Sequence, residues 1–229
     1  MKTLLTLIFA LSFGALSGWA EPNALTPEQS AAGWRRLFDG HTLTGWRSLA
    51  APTPGAGWAV VDGALTRTAK SGDILTTAEF GDFELSLDWK VEPGTNSGIL
   101  YRVGLNETRT WRTGPEFQVL DNLQATDRFN PRHQAGGLYD LVAPAANVVR
   151  PVGEWNHARI VVRGWHIEHW LNGTKLVEVD LGTPEGRALI AGSKFKTMPN
   201  FATLARGHIA LQDEDRSVSY RNILIRELQ

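Results

Sequence analysis

From Asp82 to Val91 the chain alternates without a break. Phe83, Leu85, Leu87, Trp89 and Val91 are apolar, and Glu84, Ser86, Asp88 and Lys90 between them are polar or charged. Successive side chains of a strand point to opposite faces, so this run predicts a β-strand with one buried and one wet face. That is the mark of an antiparallel sheet covered on one side. Such a strand needs partners, and the chain supplies them as short extended runs broken by turn residues. Asp62-Gly63 within Trp58–Thr66 and Asn172-Gly173 between His166–Leu171 and Lys175–Asp180 are two-residue hairpin signals. Further strands are expected at Ile74–Thr77, Asn96–Arg102, Gly114–Asn122, Gly136–Tyr139, Glu154–Arg163, Gly207–Gln212 and Ser217–Glu227.

Helix signals are few. Thr26-Pro27-Glu28-Gln29 has an N-cap followed by proline at the first helical position, which predicts a short helix ending near Gly33. Pro184-Glu185-Gly186-Arg187 allows a single helical turn. About a dozen strands with turns every eight to twelve residues and little helix predict an all-β sandwich. No repeat or linker interrupts the pattern, so residues 23–229 are expected to form one domain.

Residues 1–20 are read separately. Lys2 precedes an apolar run from Leu4 to Leu16, and Gly18-Trp19-Ala20 places small residues at a signal-peptidase site. This predicts a secretory signal peptide and export to the periplasm or the extracellular space. The run is short for a membrane span, and no membrane insertion is expected. The chain has no cysteine, which excludes disulfides, thiolate metal sites and a cysteine nucleophile. Losing the leader takes Lys2 with it and leaves 22 basic against 24 acidic residues. Without a basic run, nothing points to nucleic acid. Eight tryptophans remain after cleavage. Some belong in the core, and exposed ones offer flat faces to the C–H surfaces of sugars.

The strand Gly114–Asn122 carries the chemistry. Phe117 and Val119 share one face and read as core, while Glu116 and Gln118 project together from the other. A carboxylate beside an amide holds hydroxyl groups, and the carboxylate can move a proton; the alternative is a solvated strand face. The same parity puts Gln212 on the open face of its strand, opposite Ile209 and Leu211, and pairs Arg102 with Leu100. Trp111, in the loop before the Glu116 strand, is the candidate stacking platform. His166 and His169, three apart on a strand, point to opposite faces and cannot share a metal. Asp213-Glu214-Asp215 could bind calcium or be a solvated acidic turn. There is no cofactor motif, and a divalent cation such as calcium stays open.

Taken in order, Leu37-Phe38-Asp39-Gly40, Leu43-Thr44-Gly45-Trp46, Asn96-Ser97-Gly98-Ile99, Gly114-Pro115-Glu116, Gly137-Leu138-Tyr139, Gly153-Glu154-Trp155-Asn156, Leu171-Asn172-Gly173, Ser193-Lys194-Phe195 and Gly207-His208-Ile209 with Leu211-Gln212-Asp213 form a set. That set resembles the 3-keto-disaccharide hydrolase domain family, also described as 3-keto-glucoside lyase and hydratase. The family usually continues Leu-Gln-Asp with His-Gly, where this chain has Glu214-Asp215. The resemblance implies a concanavalin A-like jelly-roll β-sandwich of two antiparallel sheets and a carbohydrate substrate. It also implies glycosidic cleavage by elimination and hydration. Glu116 is then expected as the base, with His169 or Tyr139 as the acid. Arg102 with Gln118 or Lys194 is expected to hold the enolate oxygen, and Asn96, Gln212 and Trp111 to bind substrate. The rival readings are an ordinary retaining glycosidase, which needs a second carboxyl near Glu116, and a non-catalytic lectin-like module.

Overall fold

The computed structural model describes residues 22–229, so the expected signal peptide lies outside the described residues. In chain order the strands are β1 (Arg35–Arg36), β2 (Trp46–Ser48), β3 (Trp58–Val61), β4 (Ala64–Arg67), β5 (Ile74–Phe80), β6 (Phe83–Val91), β7 (Asn96–Val103), β8 (Glu116–Leu120), β9 (Asn156–Arg163), β10 (His166–Leu171), β11 (Thr174–Asp180), β12 (Gly207–Leu211) and β13 (Val218–Glu227). Helix α1 (Pro27–Ala31) precedes them and α2 (Pro184–Ala191) lies between β11 and β12. Among the described residues the strands form two antiparallel sheets. The larger runs β11-β10-β9-β6-β13-β4-β3 with β1 against β13; the smaller runs β2-β5-β12-β7-β8.

The alternation in β6 explains the layering. Phe83, Leu85, Leu87, Trp89 and Val91 are all buried in one core that also contains Ile99 and Tyr101 of β7, Phe117 and Val119 of β8, and Ile209 and Leu211 of β12. The two sheets therefore pack apolar face to apolar face. Both hairpin signals act as read: Asp62 and Gly63 have φ of 50° and 72°, and Asn172 and Gly173 have 50° and 84°, the left-handed pair that a tight hairpin turn requires. Thr26 caps α1 through a reciprocal exchange with Gln29, Thr26 Oγ1 accepting from the Gln29 amide at 3.2 Å.

Some expectations need correction. Glu84 is not on a wet face. It is 5% exposed because Arg226, directly across on β13, and Arg159 on β9 close over its carboxylate. The helical turn at Pro184 extends to the full α2, capped by Thr183. Gly136–Tyr139 is not a ladder strand. It hydrogen-bonds along the free edge of β8, Gly136 N–H to Gln118 O (2.9 Å) and Tyr139 N–H to Glu116 O (3.0 Å), and then turns back at Leu138–Val142. A full strand would prolong the sheet, whereas this loop covers its edge and brings Tyr139 beside Glu116.

Candidate active site

The outer face of the smaller sheet carries a small apolar cluster of Leu75, Leu100, Val103 and Ala210, against which Trp111 packs. Beside it, strand parity aligns Asn96, Gly98 and Leu100 of β7 with Gln118 and Glu116 of β8, Gly98 facing Gln118 and Leu100 facing Glu116. Gly98 is needed here for space. A Cβ at that position would fall 2.1 Å from Glu116 Oε1, so the bare backbone is the bed on which the Glu116 side chain lies.

A hollow of about 160 Å³ opens above this bed, lined by Asn96, Trp111, Glu116, Tyr139, Lys194, Gln212 and Glu214. A second hollow of about 240 Å³ continues from it past Trp111, Gln212 and Glu214 to Lys70, Asp73 and Arg109. Different elements deliver the walls. Trp111 sits in the 3-10 turn Thr110–Arg112 and Lys194 opens the 3-10 turn Lys194–Thr197, whose first amide is held by Asp140 at 2.9 Å. Tyr139 comes from the edge loop, its hydroxyl donating to Asp127 at 2.9 Å and its ring stacked on His133 at 4.2 Å. The Lys194 ammonium stands 4.1 Å from the centre of the Tyr139 ring and 5.3 Å from that of Trp111.

Glu116 is 5% exposed, and its carboxyl has no hydrogen-bond partner among the described residues. Burial pushes its pKa up to about 8; Lys194 opposes the shift, and Asp73, Glu214 and Asp127 reinforce it. Burial, aided by the acceptor Asp127, also raises the Tyr139 hydroxyl well above the ordinary tyrosine value. Glu214, at the exposed rim, is raised by partial burial and by the nearby Asp215 and Asp73. Gln118 lies fully buried beneath the hollow, its amide donating to Asn96 Oδ1 at 3.1 Å, and its own oxygen has no partner among the described residues. The Glu116–Gln118 face is thus enclosed rather than solvated.

The structure brings Asn96, Trp111, Glu116, Tyr139, Lys194 and Gln212 around one hollow, with Gln118 just below. It removes Arg102 and His169. A register shift between β12 and β7 pairs His208 with Val103 but Ala210 with Leu100, leaving an extra residue in β7 where Arg102 adopts φ 51°. This bulge resets the parity: Val103 takes the outer-face position, and the Arg102 guanidinium donates to Gly81 O (3.1 Å), Gly164 O (2.5 Å) and Asp82 (2.8 Å). Arg102 is a structural tie between turns. His169 faces the core on β10 with Ile167 and Leu171, against Phe117 and therefore behind the sheet that bears Glu116. It is bonded to Tyr101 and Gly136, and burial depresses its pKa to about 3. A neutral core imidazole cannot be the acid.

The reading of Asp213 as part of a solvated or calcium-binding turn also fails. It is buried, with Arg67 and the amides of Ser71 and Gly72 filling its carboxylate. His166 does gather with Glu168 and Glu178 at metal-ligand spacing, but on the larger sheet, where Lys175 is already paired with Glu178. The sequence marks Glu214 only as part of the acidic turn and gives no reason to place Asp127 or Asp73 near Glu116. Only Glu214 left a signal, standing two residues beyond Gln212 on the same parity.

A family model for the 3-keto-alpha-glucoside-1,2-lyase-like domain matches residues 33–226. The chain is 30% identical to a protein named 3-keto-disaccharide hydrolase from Bacteroides thetaiotaomicron, over 96% of this chain and 87% of that one. A crystal structure from Parabacteroides distasonis ATCC 8503, provisionally described as a glycosyl hydrolase, superposes with a TM-score of 0.85 at 29% identity, covering 91% of this chain and all of that one. A Bacillus subtilis protein of unknown function with a galectin-like fold covers 91% of this chain and 95% of its own at TM-score 0.53 and 12% identity, which shows a shared jelly-roll architecture alone. Matched along nearly all of its described length, the chain belongs to the 3-keto-alpha-glucoside-1,2-lyase-like domain family.

Proposed function

We propose that this protein is a carbohydrate-active enzyme that cleaves 3-keto-glycosides by elimination and hydration, with net hydrolysis. The observation that carries this reading is the buried carboxyl of Glu116, unpartnered among the described residues, in a hollow walled by an ammonium, two amides and two aromatic rings. The name of the Bacteroides relative supports the substrate class. A ketone at C3 acidifies the neighbouring C2–H. Glu116 takes that proton, and a carboxylate with its pKa near 8 is a stronger base than an ordinary one. Negative charge develops on the C3 oxygen, where the Lys194 ammonium stabilises it. Asn96 and Gln212 hold ring hydroxyls, and Trp111 supplies the stacking face.

Glu116→Gln tests this. It keeps the shape and removes the basicity, so turnover of a 3-keto-glucoside should fall by roughly 10²–10⁴-fold, with a much smaller change in KM. Full activity in the variant would move the base elsewhere. Glu214, a second carboxyl lining the Glu116 hollow, favours one rival, ordinary glycoside hydrolysis. Turnover of an unoxidised disaccharide as fast as its 3-keto form would select that rival, and binding without turnover of either would select a lectin-like module.

Export is the second part of the proposal, resting on Lys2, the apolar run to Leu16 and Gly18-Trp19-Ala20. N-terminal sequencing of the protein recovered outside the cytoplasm should begin at or near Glu21. An intact Met1 on mature material would reject it.

A further inference from the structure

We infer that Glu214 is the second proton-transfer residue of this site, delivering the proton to the departing glycosidic oxygen, and that the leaving group occupies the hollow walled by Lys70, Asp73 and Arg109. The inference rests on the proposed 3-keto-glycoside chemistry and adds to it. The acid expected from the sequence is missing: His169 is in the core, and the Tyr139 hydroxyl is committed to Asp127. Glu214 is a proton carrier that lines both hollows. Glu116 lines only the smaller, so the ring that loses its C2 proton sits there. The bond to be broken then crosses the boundary, where Trp111, Gln212 and Glu214 stand. Partial burial, with Asp215 and Asp73 nearby, holds the Glu214 proton more tightly than an ordinary glutamate would, as an acid requires. The two carboxyls thus flank the two bonds that must break.

The step balances with water as the sole co-reactant. Glu116 carboxylate accepts the C2 proton, and the C–H electron pair forms the enolate. The enolate expels the C1 substituent, whose oxygen keeps the bonding pair and takes the proton from the Glu214 carboxyl. Water then adds to C1 while Glu214 carboxylate accepts its proton, and Glu116 returns the first proton to C2. Both carboxyls end as they began.

The test compares Glu214→Gln with the parent protein on two 3-keto-glucosides of the same anomeric configuration, one with a sugar and one with 4-nitrophenol as leaving group. Nitrophenolate needs no proton to depart. In a single turnover, Glu214→Gln should slow release of the leaving sugar by roughly 10²-fold or more and leave release of nitrophenolate within a few-fold of the parent, because water addition, where Glu214 acts again, follows release in both cases. The retained nitrophenolate release also shows that the variant is folded. Equal losses on both substrates, or no loss on the sugar substrate, would overturn the role of Glu214. Failure of the parent protein to turn over either substrate would instead remove the underlying reading. For the leaving-group hollow, Arg109→Ala should raise KM for the sugar substrate and leave that for the nitrophenyl substrate nearly unchanged; an equal rise for both would reject the placement.

Discussion

Glu116 is a buried carboxyl with no hydrogen-bond partner among the described residues, and that isolation sets its chemistry. Desolvation penalises the charged form, which raises the pKa to about 8 despite the nearby Lys194 ammonium. The sign for catalysis follows. The base is the ionised form, so its population grows as pH rises through about 8. With a nitrophenyl substrate, which needs no acid, kcat/KM should climb tenfold per unit below that value and level off above it. A profile flat from pH 6 to 9 would show that Glu116 does not titrate as the base. Gln118 beneath it, with a buried oxygen that has no partner among the described residues, is the kind of unsatisfied polar group that functional sites tolerate.

At the level of the element, β7 is built for its neighbour. Gly98 leaves the bed for Glu116, and a new methyl would strike only side-chain atoms of that residue, from Oε1 at 2.1 Å back to Cγ at 2.8 Å. Its backbone is ordinary strand, so the fold should accept alanine while the carboxyl is pushed aside. Gly98→Ala is therefore expected to keep its Tm within a few degrees and to lose at least about tenfold in turnover, the order of one misplaced general base. A variant of unchanged activity would mean that Glu116 works from another position. Four residues further along, the bulge at Arg102 turns the strand's parity and converts a would-be substrate ligand into a tie for the Gly81 and Gly164 turns.

The two sheets are joined through the core by the pair Tyr101–His169 at 3.0 Å. Because Gly136 O can only accept, His169 Nδ1 carries the proton and Nε2 accepts from the Tyr101 hydroxyl. Burial lowers the His169 pKa from its ordinary 6.5 to about 3. Between those values the unfolded chain binds the proton more readily than the folded one, so stability is full above 6.5 and falls as pH drops toward 3. His169→Gln does not titrate. The Tm advantage of the parent over this variant should thus shrink from pH 7 to pH 4; a constant difference would refute neutral burial of the imidazole. The variant should retain its turnover per folded molecule, since His169 lies in the core behind the sheet face that bears Glu116.

What the sequence determined by itself is what depends on local geometry. Period-two alternation in β6, left-handed turn pairs at Asp62-Gly63 and Asn172-Gly173, and the Thr26 cap follow from backbone sterics, and they specify an all-β sandwich with Glu116 and Gln118 facing away from its core. Ordered motifs supplied the family and most of the hollow's wall. Tertiary structure alone decided which candidates meet. Parity holds only as far as the next bulge, so Arg102 went to the turns. Parity also names a face without saying whether that face meets the core or a cleft, so His169 went to the core. The buried Glu84 and Asp213 owe their places to arginines far along the chain. Glu214 became a neighbour of Glu116 through β12, β7 and β8 lying side by side, a proximity between residues about a hundred positions apart that no local pattern encodes.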